Sequence, residues 1–457
     1  MGRNIVIFAD GTGQRGGVLL DECRSNVYKL YRAARCSPDS GVDPARQHAF
    51  YDPGIGTLPP GTGSLSGIAL WLYNLVCQAT GLGLTGNIVD CYGAIIRHWR
   101  PGDQIFLIGF SRGAYTARCV GGVLGLCGVP TRMADGSPLR RDAASARRLA
   151  RKAVEQVYQH GASHRSERLA GQRQALAARF RERHGSGDAE GPNAVPHFIG
   201  VFDTVAAVGR SGAMVLAALV VSVLLGGASA ALGWWIGYFA RGAAWVIVTA
   251  LLLLAGAYLA THLKVAFGLP GIRWWRTLHL TRLRMRFHDT QLNPKVGWAR
   301  HALAIDEHRA DFDRVPWGTP KQWRRTAPGE PEWFRQLWFP GNHSDVGGSY
   351  PESESRLSDI ALGWMADEAE AVPGGLVLDR SVLRVHPDAT GPQHDETRGL
   401  AFRFARRIVR AIRPDAPLHP SVMVRFAAPF VQHNDLDRPY RPEALRAHRE
   451  VAQHYPP

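Results

Sequence analysis

The chain has 457 residues, of which 45% are hydrophobic and 20% charged. That much apolar surface excludes a disordered chain, and 50 Gly with 29 Pro in no repeat exclude a collagen-like one. Lys and Arg number 54 against 39 Asp and Glu, a net charge of +15, which favours an acidic partner such as nucleic acid or anionic lipid headgroups, if either. The length allows two to four domains of roughly 100–200 residues, or one large α/β domain with insertions. Thirteen Trp suit contact with a membrane interface. Cys23, Cys36, Cys77, Cys91, Cys119 and Cys127 include no C-x-x-C pair and no zinc-finger spacing with His. They are expected as buried free thiols, which fits a reducing compartment. No metal or cofactor is expected. Met1 to Asp10 reads as a strand rather than as a secretory signal.

In chain order, residues 4–9 (NIVIFA) form a buried strand closed by the turn Asp10-Gly11-Thr12-Gly13. Residues 26–35 read as a helix and 47–51 as a second strand. Residues 54–67 are Gly-rich and read as a loop over a site. A helical pattern runs from about Ile68 to Trp99, and 104–109 (QIFLIG) is a third strand. Arg112 to about Leu126 reads as a buried helix of small residues. Strand, sharp turn, helix is the alternation of a parallel sheet. Residues 138–184 are Arg- and Ala-rich and read as a solvated helical excursion. Residues 197–202 (HFIGVF) are another buried strand, ending at Asp203.

From Ser211 to Ala240, and again from Ala243 to Thr261, the chain carries no charged residue. Each run is long enough for the roughly 20 residues that cross a bilayer, so a transmembrane helical hairpin is expected over 211–261. Trp234, Trp235, Tyr238 and Trp245 cluster at its tip. Arg210, Lys264, Arg273, Arg276, Arg282, Arg284 and Arg286 flank its base, which places both ends in the cytoplasm. Residues 278–285 look helical. Residues 337–339 form a strand leading into a Gly-rich loop, and 358–370 a helix. Residues 400–413 (LAFRFARRIVRAIR) interleave Arg403, Arg406, Arg407, Arg410 and Arg413 with apolar residues, which suits a basic amphipathic helix on an anionic membrane surface. No nucleic-acid-binding motif accompanies the dispersed Arg.

The sharpest chemical signal is Gly109-Phe110-Ser111-Arg112-Gly113 between a strand and a small-residue helix. In that context it is a nucleophile elbow, which exposes the Ser111 hydroxyl at a helix N-terminus. A serine nucleophile needs a base and an orienting acid. Asp203 and His343 both follow strands, at the sheet edge where such residues meet. Asp345 is the alternative acid. The oxyanion hole is assigned to backbone N–H groups, that of Arg112 and those of Gly11 and Thr12 in the first loop. Asp10 then orders that loop or takes part directly.

FADGTG (8–13), YDPGIGT (51–57), GFSRGAYTAR (109–118), FDTVAAVG (202–209), HALAIDEHRADF (301–312) and WFPGNHSDVGGSY (338–350) resemble, in order and spacing, an α/β-hydrolase family that includes phospholipase effectors of bacterial type VI secretion. The resemblance covers about residues 4–370. It implies Ser111, Asp203 and His343 as a triad, and a metal-free phospholipase A-type esterase acting on glycerophospholipids. The expected fold is an α/β-hydrolase-like, mostly parallel sheet with helices on both faces, interrupted by the hairpin. The expected divisions are 1–210, the hairpin at 211–261, 262–375 completing the hydrolase domain, and a basic extension at 376–457. The expected partner is a phospholipid membrane, with anionic headgroups held by the basic segments 273–286 and 400–413. A secretion spike or an immunity protein joins it if the chain is a delivered effector. The expected location is the bacterial cytoplasmic membrane, catalytic domain inside, or delivery as a secreted effector. The alternatives are a hydrolase of a soluble ester or thioester, and a non-catalytic tethered module.

Overall fold

Alternation along the first strand decides how the molecule is layered. In β1 (Asn4–Ala9) every residue is buried. Ile5, Ile7 and Ala9 enter one core, Val6 and Phe8 the other, because successive side chains point to opposite faces of a sheet covered on both sides. The structure is a computed structural model that describes residues 2–14, 16, 23–54, 82–161, 167–205, 263–267, 269, 271–280, 292–317, 329–398, 406–434 and 436–456. The other strands of the main sheet are β2 (Gln47–Asp52), β3 (Gln104–Phe110), β4 (Phe198–Phe202), β5 (Trp298–Ala304) and β6 (Phe334–Phe339). Their order is β2-β1-β3-β4-β5-β6 and every neighbouring pair is parallel.

The helices are α1 (Asn26–Ala34), α2 (Leu82–His98), α3 (Arg112–Cys127), α4 (Ala143–Arg151), α5 (Glu167–His184), α6 (His343–Gly347), α7 (Arg356–Ala371) and α8 (Pro420–Ala427). Helices α2 and α3 cover one face, with Ile5, Ile105 and Leu107 in their core. Helices α1 and α7 cover the other, over Val6, Phe106, Phe198 and Phe202. Each such side chain, fully buried, contributes roughly 1.5–3 kcal/mol. Strand order reverses between β1 and β3, so a crevice opens at the C-terminal ends of these strands.

Several sequence expectations change. The Arg-rich excursion at 138–184 is not simply solvated. Ala146, Leu149, Ala150, Val154, Val157, Ala177 and Phe180 join the first core. Asp142 caps α4 by accepting from the Ser145 N–H at 2.9 Å. Strand β5 was hidden because its centre is polar. Arg300 is buried and reaches the Glu368 carboxylate of α7 and the carbonyls of Ala299 and Glu332, while His301 pairs with Gln336 at 3.2 Å. The helix expected at 278–285 is, over its described part, the end of a 3-10 turn, Trp274–Thr277, followed by His279–Leu280 paired with Leu263–Lys264. Among the thiols expected to be buried, Cys91, Cys119 and Cys127 are, whereas Cys36 is exposed and Cys23 intermediate. Cys77 and the Gly-rich loop from 55 onward lie outside the described residues.

The C-terminal stretch is built into the fold. Ala416, Val422, Phe426, Tyr440, Leu445 and Val451 form a third core with Leu303, Ile305 and Trp338 of β5 and β6 and the residues after them. The amphipathic helix expected at 400–413 is corrected: 406–413 are not helical, and 399–405 lie outside the described residues. Arg406 O accepts from Ala310 N and Ile408 N donates to His308 O, so the segment runs extended beside residues 308–310. The transmembrane hairpin is also corrected. Among the described residues no helix is long and apolar enough to cross a membrane. The segment 211–261 itself lies outside the described residues, and the fold is described without it.

Breaking a buried ion pair by removing one partner costs about 3 kcal/mol. Glu368→Ala strands the Arg300 guanidinium in the core and should lower the free energy of unfolding by about that amount, read by urea denaturation. A loss below a few tenths of a kcal/mol would show that the carbonyl bonds alone satisfy Arg300.

Candidate active site

The elbow follows from backbone packing. A Cβ on Gly109 would sit 2.5 Å from Gly113 O, and one on Gly113 would sit 2.0 Å from Ala9 O. Only glycine lets β1, β3 and α3 approach this closely. Between them Ser111 takes φ 59, ψ −122, a region costly for a side-chain-bearing residue. The Ser111 N–H donates to Phe202 O at 3.1 Å, tying the elbow to the end of β4.

Asp203 follows β4 directly, at φ 37, and is fully buried. Its Oδ2 lies 2.6 Å from Nδ1 of His343, the first residue of α6. Its Oδ1 accepts from Ala304 N at 3.1 Å and from the Arg410 guanidinium at 2.6 Å, and a second Arg410 nitrogen donates to Oδ2 at 2.9 Å. Burial pushes this carboxyl upward, but the Arg410 charge and the His343 bond outweigh it and hold Asp203 well below the usual carboxylate range. An ionised Asp203 accepts, so Nδ1 of His343 carries the proton. Nε2 on the far side of the ring is then an acceptor, and it is buried without a hydrogen-bond partner among the described residues.

The His343 ring packs at 4.6 Å on Phe110, the residue before Ser111, and meets Phe312 edge-on at 5.1 Å. Its helix is fixed by a capping box: Asn342 accepts from Ser344 N and Asp345 N, and Asp345 accepts from Asn342 N. The His343 N–H donates to Glu307, itself paired with Arg309. Asp345 turns away from His343. It pairs with His394 Nδ1 at 2.7 Å and accepts from His394 N, so it belongs to a second network with Glu354.

The loop after β1 lies against the elbow: a Cβ on Gly11 would be 3.3 Å from Ser111 Cβ. Asp10 orders it, accepting from Gly11 N at 2.7 Å, Ser25 Oγ at 2.6 Å and Tyr51 Oη at 2.6 Å. The Gly11 N–H is therefore engaged. Those of Thr12 and Arg112 have no partner among the described residues, and the Thr12 hydroxyl is buried without one. Among the described residues no cluster of three or more His, Cys, Asp or Glu is arranged to hold a metal ion. The structure thus brings Ser111, Asp203 and His343 to one edge of the sheet, with Arg112 and Thr12, and leaves Asp345 elsewhere. Sequence reading missed Arg410 and Glu307. Arg410 carried no local signal, being one of five Arg in an apparently amphipathic run.

This site sits on a parallel α/β sheet whose first turn, elbow and later strand ends share one crevice. The sequence pattern of the family described as "T6SS, Phospholipase effector Tle1-like, catalytic domain" matches residues 3–229 and 264–368, and the chain belongs to that family. It is also 30% identical, over 128 residues, to the uncharacterized protein YEL023C of Saccharomyces cerevisiae, covering 27% of this chain and 17% of that protein. Two solved structures are similar to it. An uncharacterized protein from Pseudomonas aeruginosa is 18% identical with a TM-score of 0.36, covering 84% of this chain and 48% of the other. The Tle1 effector bound to the VgrG spike of the type 6 secretion system is 16% identical with a TM-score of 0.31, covering 77% and 52%. The chain spans about half the length of these two structures and a sixth of the yeast protein.

His394 is raised above its ordinary value of 6.5: burial lowers it, and Asp345 and Glu354 more than offset this. A raised folded-state pKa gives stability that is fully present below the unfolded value and is lost as pH rises through the folded one. The stability lost in His394→Phe should therefore be larger at pH 5.5 than at pH 8.5 in urea titrations. An equal loss at both would show that the fold does not raise the His394 pKa.

Proposed function

We propose that this chain is a serine esterase that hydrolyses acyl esters of glycerophospholipids, a phospholipase A-type reaction. The observation that carries the reading is the 2.6 Å Asp203–His343 bond beside a serine held at positive φ on a strand–helix elbow. Family membership supports the lipid substrate.

In this reading Ser111 Oγ attacks the ester carbonyl carbon while its proton passes to His343 Nε2. Asp203 stays ionised and stabilises the resulting imidazolium. The carbonyl oxygen, now an oxyanion, is met by the N–H groups of Arg112 and Thr12, which have no other partner among the described residues. Collapse breaks the ester bond, His343 returns the proton to the lysolipid alkoxide, and an acyl-enzyme remains. Water, deprotonated by His343, then releases the fatty acid and restores Ser111.

A surface for the lipid is offered by the segment 263–280. Phe267, Trp274, Trp275 and Leu278 are 45–63% exposed. The Arg273 guanidinium lies 5.2 Å from the Trp275 ring centre. Lys264, Arg273 and Arg276 accompany them with no Asp or Glu between, and aromatic bodies with cationic neighbours suit an anionic bilayer interface. Arg282, Arg284 and Arg286 lie outside the described residues. The family is one of type VI secretion effectors, so we read delivery into a target cell, with a spike protein as carrier, as the setting of this activity.

The test is hydrolysis of phosphatidylethanolamine–phosphatidylglycerol vesicles. Wild type should release fatty acid and lysolipid, and Ser111→Ala should abolish both. Asp203→Asn should lower kcat by about 10⁴-fold, and Asp345→Asn far less. The reverse order would reassign the acid, and activity surviving Ser111→Ala would reject the mechanism.

A further inference from the structure

Resting on the catalytic roles proposed above, we propose that Arg410 is a positioning residue of this site, reaching in from the C-terminal segment to hold Asp203 in the orientation that aligns His343. Its side chain and that of Asp203 are both fully buried. The two terminal nitrogens take one carboxylate oxygen each, at 2.6 and 2.9 Å, a fork-on-carboxylate geometry that only Arg provides. The same nitrogens donate to Ala304 O at 2.8 Å and Phe312 O at 2.6 Å. All four of their N–H bonds are thus spent, two on the acid and two on fixed carbonyls at the end of β5 and in the turn that also walls the His343 ring. Such a clamp removes the rotation about χ2 that would carry Oδ2 away from Nδ1.

The contact comes from outside the region that matches the family pattern, which ends at residue 368. On this inference the segment beyond that limit completes the catalytic unit.

Arg410 also sets the charge balance. With it, the buried carboxylate is neutralised before His343 takes any proton, and His343 is free to act as a base. Without it, His343 is the closest group left to balance the buried carboxylate. The other groups that face this pair leave that contrast intact. Glu307 is paired with Arg309, Arg314 acts on Asp203 but makes no ion pair with it among the described residues, and Arg118 donates to the carbonyls of Val315 and Pro316. His301, pushed down to about 3 mainly by burial, stays neutral over the working range.

The experiment measures kcat and KM of the full chain on the vesicles above and on a monomeric short-chain ester, from pH 5 to 9. Arg410→Gln should lower kcat by about 10²-fold, with KM little changed and the acidic limb of the profile moved to higher pH. Arg410→Lys keeps the charge and loses the fork. It should lower kcat by about tenfold with the acidic limb unmoved. A purely structural role would change the amount of folded protein and its melting, but neither the profile nor the kcat of the folded fraction. Folded Arg410→Gln with wild-type kcat and profile overturns the proposal. If that variant does not fold, wild-type kcat in Arg410→Lys overturns it. Ser111-dependent activity indifferent to Arg410 sinks the positioning role alone, whereas activity independent of Ser111 sinks the esterase reading with it.

Discussion

One buried carboxylate organises the C-terminal edge of this sheet. Asp203 has no exposure to water, so its charge persists only because partners from three places converge on it. They are a backbone N–H at the end of β5, the imidazole of α6, and both arms of a guanidinium supplied from the last quarter of the chain. The convergence ties the strands, the His343 loop and the third core to a single point. It also fixes the tautomer of His343, leaving Nε2 as the acceptor of the ring. The positive φ at Asp203 and at Ser111 is tolerated because these contacts over-determine the local backbone.

Much of this was legible in the sequence. Strands β1, β3 and β4 are uninterrupted apolar runs ending in Asp or Gly turns, the signature of buried parallel strands. The elbow announced itself through two glycines whose Cβ atoms would collide with neighbouring backbone. Asp203 and His343 stood out in the sequence because both follow strands, and their side chains lie 2.6 Å apart. What was not legible depended on long-range pairing. Strand β5 reads as polar because Arg300 and His301 find their partners on α7 and β6. Arg410 looks like one more surface cation, since a helical pattern and an extended buried segment cannot be told apart when the pattern lets each Arg face water. Asp345 was a reasonable alternative acid by spacing, but its carboxylate is committed to the capping box and to His394.

The two charge-free runs between 211 and 261 suggested membrane-crossing helices. They lie outside the described residues, and among the described residues no helix is long and apolar enough to cross a membrane. Lipid contact is argued instead from the exposed aromatic and basic side chains of 263–280, which need only meet a bilayer surface.

The central claim is that Ser111 is the residue activated by the Asp203–His343 pair. It is tested most directly by treating the chain with a fluorophosphonate ester and mapping the adduct by peptide mass spectrometry. The account predicts a single phosphonyl group on Ser111, absent when His343 is replaced by Ala. An adduct on another serine, or equal labelling of Ser111 without His343, would contradict it.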